Sequence, residues 1–284
     1  MKYRHSFHAG NFADVHKHVT LLALLAALKR KEKGFLYFDT HAGRGAYDLS
    51  GGAGGGAGGS AEAATGVARL LAGEPRAQEL RDYGALLARV RAARGSSHFY
   101  PGSPLIALEA LRPQDRVVFV EWQGAEAQAL RAAVGEGRER TRIEQGDGLK
   151  LLRATLPPPE RRALIFIDPP FAETREEFSR VTAAVADGLR RFATGVFAVW
   201  YPIKQQRVTS AWHGEFSRAV AAPTLASELW LYPRDSRVAL NGSGLLIANP
   251  PWQIAERMHA WLPELGAALG AGSSGGTEVR MLSQ

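Results

Sequence analysis

A series of short apolar runs, each followed by a stretch with helical spacing, restricts this chain to few folds. Phe35-Leu36-Tyr37-Phe38-Asp39 reads as a short, fully buried strand, and strand-like runs recur at 117–120, 142–144, 164–167, 196–201, 225–232 and 245–248. Most lack the polar alternation of a half-solvated strand, as expected where helices cover both faces of a sheet. Strands alternating with helices predict an α/β fold with a largely parallel, doubly wound sheet, the last strands pairing antiparallel. At 284 residues the chain has room for one such domain carrying an insertion.

The insertion is legible from composition. Gly51-Gly52-Ala53-Gly54-Gly55-Gly56-Ala57-Gly58-Gly59-Ser60 cannot pack a core and reads as a flexible connector. Helical spacing follows at 61–71 and 77–93, and Tyr100-Pro101-Gly102-Ser103-Pro104 turns the chain back. We therefore expect a main domain over 1–48 and 100–284, with 49–99 as a small inserted helical subdomain. The polar, aromatic and aperiodic start, within residues 1–18, reads as an arm laid over a surface. A helix is predicted over 13–32, closed by Gly34.

The net charge of +7 favours a polyanionic partner, nucleic acid first, because a basic surface attracts phosphate and releases counterions. Arginine far outnumbers lysine in an Ala- and Gly-rich chain, so composition alone explains the charge about equally well. Absence of cysteine excludes disulfides, thiolate metal sites and cysteine nucleophiles. The apolar run 19–28 is too short to span a bilayer and is followed by Lys29-Arg30-Lys31 without a cleavage site. A helix inside the fold and a cytoplasmic location are expected.

In open α/β sheets ligands bind beyond the carboxyl ends of the strands. The first strand ends in Asp39-Thr40-His41-Ala42-Gly43-Arg44-Gly45, whose glycines permit close backbone approach to a ligand. The second ends at Glu121, a carboxylate suited to two ribose hydroxyls, and the third in Gln145-Gly146-Asp147-Gly148, placed for an adenine ring. The fourth run, Leu164-Ile165-Phe166-Ile167, ends in Asp168-Pro169-Pro170-Phe171. That sequence suits methylation of an exocyclic amine. The amine nitrogen is a poor nucleophile, and Asp168 with a Pro169 or Pro170 carbonyl would accept its hydrogens while Phe171 offers a flat face to a flipped base. Each signal alone is more often a turn or a strand end; four in this order are not.

Asn249-Pro250-Pro251-Trp252 repeats the pattern downstream. We assign catalysis to Asp168, which follows the cofactor strands directly, and a structural stop to Asn249. Among the early histidines, His5, His8, His16 and His18, a metal site lacks a full ligand set, and none is expected. Phosphate and cofactor contacts suit Arg4, Lys17 and these imidazoles better.

These residues resemble the RlmJ family of bacterial 23S ribosomal RNA adenine-N6 methyltransferases over nearly the whole chain. The similarity is carried by Tyr3-Arg4-His5-Ser6-Phe7-His8-Ala9-Gly10-Asn11 with Asp14 and Lys17-His18, by Asp39-Thr40-His41-Ala42-Gly43, by Tyr100-Pro101-Gly102-Ser103-Pro104 and by the Asp168 turn. It implies a class I S-adenosylmethionine-dependent, Rossmann-like methyltransferase with an inserted helical subdomain. It also implies cofactor contacts from His18, His41, Ser103, Glu121, Asp147, Gly148 and Asp168. Tyr3, Arg4, His5, Lys17, Pro169, Pro170 and Phe171 are expected on the substrate side, with 23S rRNA as the partner of a monomer that needs no other protein. Phe171 stands where tyrosine is common in the family. Methylation of adenine in DNA and RNA binding without catalysis are the alternatives.

Overall fold

The computed structural model describes residues 8–50, 61–171, 175–234, 236, 238, 240–272 and 274–282. The elements run in the order α1 (Phe12–Lys29), β1 (Leu36–Asp39), β2 (Ala46–Asp48), a short 3-10 turn (Ala61–Ala64), α2 (Val67–Leu71), α3 (Gln78–Arg94), β3 (Phe99–Pro101), α4 (Ser103–Ala110), β4 (Arg116–Glu121), α5 (Gly124–Val134), β5 (Thr141–Gln145), α6 (Gly148–Thr155), β6 (Ala163–Ile167), α7 (Arg175–Arg191), β7 (Val196–Ile203), α8 (Gln206–Ala219), β8 (Thr224–Trp230), β9 (Gly242–Ala248), α9 (Ile254–Ala268) and β10 (Gly276–Met281).

Eight strands form one sheet in the order β10-β8-β9-β7-β6-β1-β4-β5. The five from β7 to β5 are parallel, while β9 runs antiparallel to both β7 and β8, and β10 antiparallel to β8. Side chains alternate between the two faces, as the pleat requires. Tyr37, Leu164 and Phe166 enter a core with α1, α3, α4, α5 and α9, whereas Leu36, Phe38, Ile165 and Ile167 enter a second core with α6, α7 and α8. Every residue of β6 is buried, which explains its unbroken apolar sequence.

Helix α1 starts one residue before the predicted stretch because the Asn11 side chain caps it, accepting from the Asp14 N–H at 2.9 Å. It ends at Lys29 and not at residue 32, since Lys31, Glu32 and Lys33 are exposed and cover no core. The sequence reading lacks two features. The β2–β3 hairpin is only three residues per strand, and β10 is a half-buried polar strand whose place depends on β8. Between β2 and β3, helices α2 and α3 bury Val67, Leu70, Leu80, Tyr83, Leu86 and Leu87 in the same core as α1 and α9. The glycine-rich stretch 51–60 lies outside the described residues. No helix among the described residues is long and apolar enough to cross a membrane.

Parallel strands bring their carboxyl ends to one edge. Asp39, Glu121, Asp147 and Asp168 therefore share it. The end of β9 lies at the other edge, where Ala248 pairs with Phe197 near the start of β7.

Candidate active site

A cavity of about 760 Å³ opens at the shared edge, lined by residues from all four strand ends and from α1, α4 and α7. Lys17, His18, His41, Ser103, Glu121, Asp147, Gly148, Asp168, Pro169 and Pro170 all reach its wall. Phe171 does not. It is half-buried against Phe178, Trp200 and Trp212, with ring centroids 5.0, 6.2 and 6.4 Å away. Tyr3, Arg4 and His5 lie outside the described residues.

The Asp168 carboxylate has an unusual partner. Lys17, in the second turn of α1, which packs onto the sheet, places its Nζ 2.6 Å from Asp168 Oδ2 and 2.8 Å from Asp14 Oδ1. Asp14 is held in turn by the Gly10 N–H at 3.0 Å. Burial opposes the charge on Lys17, but the Asp14 and Asp168 carboxylates outweigh it and hold the ammonium above the ordinary lysine range. Lys17 was expected to meet phosphate or substrate. Its ammonium instead lies between two carboxylates, which orients Asp168 and keeps Oδ2 occupied.

The Pro169 carbonyl accepts the Phe171 N–H at 2.8 Å. A carbonyl has two lone pairs, so a second acceptor position remains beside Asp168.

Asp39 ends β1 in complete burial. It accepts from the Ser103 hydroxyl at 2.7 Å, the Tyr37 hydroxyl at 3.1 Å and the His41 N–H at 3.2 Å. Burial pushes its pKa up to about 6, with the Ser103 bond pulling the other way. Its role is to fix Ser103 and the β1 loop. Sequence reasoning did not single it out, although its place at the strand end was the available signal. His41, hydrogen-bonded through Nδ1 to Thr40 Oγ1 at 2.7 Å, is driven down to about 4 by burial and is neutral at pH 7. His18 Nδ1 meets the Tyr100 hydroxyl at 2.8 Å, and Tyr100 meets Tyr83 at 3.0 Å, linking the cavity wall to α3.

Glu121 accepts the Gly43 N–H at 2.9 Å and the Gln123 N–H at 2.7 Å, one on each oxygen. Burial raises its pKa and these bonds lower it. Each oxygen keeps a lone pair for a diol. Asp147 caps α6 through the Leu149 and Lys150 N–H groups and pairs with Arg180 of α7, a cavity residue that no sequence signal marked. Trp122 and Glu126 are further wall residues absent from the sequence reading, and Arg44, noted there only within the run that ends the first strand, pairs with Glu126 at 2.9 Å.

Glycine is required at two points. Gly43 adopts φ +62°, and a Cβ at Gly148 would stand 2.0 Å from the Thr40 carbonyl oxygen, so the β1 and β5 loops meet only without a side chain. The tight loops, a carboxylate with free lone pairs and the amino end of α4 at Gly102-Ser103 make a cradle of suitable size and chemistry for S-adenosylmethionine.

The histidines diverge. His16 lies between the Ser243 and Ser227 hydroxyls at 3.0 and 3.1 Å, and burial drives it down to about 3. His8 pairs with Glu62. Among the described residues no group of three or more His, Cys, Asp or Glu is placed to hold a metal.

Asn249 sits at the opposite edge, where it cannot reach the cavity. Its Nδ2 donates to the Ala193 and Gly195 carbonyls at 2.7 and 3.0 Å, clamping the loop before β7.

Comparison with known proteins agrees with this geometry. The chain is 37% identical over 279 residues to ribosomal RNA large subunit methyltransferase J of Escherichia coli K12, covering 98% of each protein. It is 35% identical over 283 residues to the protein of the same name from Haemophilus influenzae, covering 100% of this chain and 99% of that one. A Legionella pneumophila protein of known crystal structure superposes with a TM-score of 0.85 at 32% identity, over 98% of this chain and 99% of that one. The family described as ribosomal RNA large subunit methyltransferase D, RlmJ, matches residues 32–282. The chain belongs to that family.

Proposed function

We propose that this protein methylates N6 of a single adenine in 23S ribosomal RNA, using S-adenosylmethionine. The observation that carries the reading is the Asp168 carboxylate, fixed by Lys17 at the end of β6 beside the Pro169 carbonyl and opening into the cavity. S-adenosylmethionine supplies an electrophilic methyl group on sulfonium.

Glu121 would take the ribose hydroxyls, the Gly102-Ser103 end of α4 the cofactor carboxylate, and Asp147 with Gly148 the adenine side. His18 and His41 would complete that wall. The target base, flipped out of its stack, would set its amine between Asp168 Oδ1 and the Pro169 carbonyl. Two acceptors on two amine hydrogens draw the nitrogen lone pair out of the ring and aim it at the methyl group. Positioning then supplies most of the rate, and the leaving amine proton passes to Asp168. Phe171 would meet the base with the open part of an aromatic cluster. Pro170 would shape the pocket floor, and Tyr3, Arg4 and His5 would close over the substrate from the arm. Residues 49–99 are read as an inserted unit, and the protein as a cytoplasmic monomer working without a protein partner.

Methyl transfer from labelled S-adenosylmethionine to protein-free 23S rRNA, duplex DNA and tRNA, followed by mass mapping, tests this reading. N6-methyladenine at one 23S site is expected. Label only in DNA or tRNA would replace the substrate, and no label would leave RNA binding alone.

A further inference from the structure

The Asn249 turn has no part in the chemistry above, yet it is built with care. Asn249 and Gln253 both hold positive φ, 53° and 64°, a conformation unfavourable for non-glycine residues that persists only where the surroundings enforce it. The enforcement is visible in the two Asn249 bonds to Ala193 and Gly195. What the turn presents is Trp252, 75% exposed and, among the described residues, the most exposed of the large apolar side chains. Arg30 lies over its ring, 5.4 Å from the centroid, so the indole is fixed while much of its surface stays open.

The surrounding edge is cationic. Arg30 over the ring is followed by Lys31 and Lys33, Arg162 joins them through bonds to the Leu28 and Lys33 carbonyls, and of the acidic residues there Glu32 lies in the same run while Asp115 is already held by Arg112, which bonds the Lys29 and Lys31 carbonyls. Lys31 and Lys33 are exposed and have no carboxylate partner among the described residues. A fixed aromatic face within a band of unpaired cations is the arrangement that single-stranded nucleic acid recognises, bases by stacking and phosphates by charge.

We propose that the Asn249–Trp252 turn and this edge form a second RNA-binding surface, in which Trp252 stacks on an unpaired base of the substrate RNA. The two surfaces lie at opposite edges of the sheet, separated by roughly 20 Å, the length of a seven-residue strand such as β9. The identity of the RNA rests on the function proposed above; the surface itself rests on Trp252 and its cations.

The test measures affinity for protein-free 23S rRNA without cofactor, and kcat at saturating RNA, for the wild-type protein, Trp252→Ala, Trp252→Phe, Trp252→Leu and the double substitution Lys31→Glu with Lys33→Glu. Trp252→Ala and Trp252→Leu are expected to weaken RNA binding roughly tenfold with kcat unchanged, and Trp252→Phe to restore most of it. The lysine substitutions should flatten the dependence of affinity on salt. Wild-type affinity in Trp252→Ala and the lysine variant overturns the proposal, as does a Trp252-dependent self-association in place of the RNA effect. Because affinity is read without cofactor, an absence of methyl transfer sinks the function reading and leaves this result standing.

Discussion

Asp168-Pro169-Pro170-Phe171 and Asn249-Pro250-Pro251-Trp252 are nearly the same sequence, each ending a buried strand, and the structure uses them in opposite ways. At the first, the polar side chain turns toward a cavity, meets a buried cation and shares its edge with three other carboxylates. At the second, it turns inward to donate to two backbone carbonyls, and the aromatic residue points to solvent. Strand direction makes the difference. β6 is parallel to its neighbours and β9 antiparallel, so identical punctuation falls on opposite edges. A motif of this kind acquires chemistry from the edge that it reaches.

The comparison breaks most visibly at Asp168. Asp168→Ala should retain much of the cofactor affinity by calorimetry and lose methyl transfer by a factor of roughly 10² to 10⁴, the range of a positioned acid–base group; turnover near that of the wild type would refute the mechanism. Installing the carboxylate at the other edge, as Asn249→Asp in an Asp168→Asn background, should restore nothing, which initial rates will show.

Removing the cation tests how the first turn is held. Lys17→Met leaves Asp14 and Asp168 facing one another in a buried site, and urea unfolding should show a loss of about 3–5 kcal/mol. Adding Asp14→Asn should recover part of it; no recovery would mean that Lys17 acts elsewhere.

At the second turn the expected damage is smaller and spares the chemistry. Asn249→Ala forfeits two hydrogen bonds and puts at φ 53° a residue less tolerant of that conformation than asparagine, a cost of about 1–3 kcal/mol in thermal or urea unfolding with kcat preserved. Total loss of turnover in a folded variant would reverse the assignment of the two turns.

The finest distinction is in pH. Asp39 at the cavity edge has its pKa pushed up by burial to about 6 from an ordinary value of 3.8. The folded protein therefore keeps a proton that the unfolded chain has released, and stability falls as pH rises from about 4 to about 6, then stays level. Asp39→Asn removes that component, so the stability of the variant relative to the wild type should grow across this window by at most about 1.4 kcal/mol per pH unit. A difference independent of pH would show that Asp39 is ionised throughout.

The carboxylates at the strand ends were readable because a parallel sheet follows from local pattern alone: buried strands separated by helices force every strand end to one side. The same logic located Glu121, Asp147 and Asp168 without any contact being known. Lys17 was singled out as a site residue, but its bond to Asp168 was not legible, because it joins residues 151 apart and no local pattern encodes such a pairing. Arg180 was invisible for a related reason, being one of many polar residues on an amphipathic helix until α7 packs beside Asp147. Phe171 was read as a free stacking face, but three aromatic neighbours from α7, β7 and α8 half-cover it.

The sequence by itself determined the succession of buried strands and helices, the residues at each strand end and the family to which the chain belongs, since hydrophobic periodicity and short motifs are local properties. Only the tertiary structure decided which of two Pro-Pro turns faces the cavity, which cation holds Asp168 and where Trp252 points. Those outcomes depend on strand direction and on contacts between distant segments, and these are fixed only when both faces of the sheet are buried together.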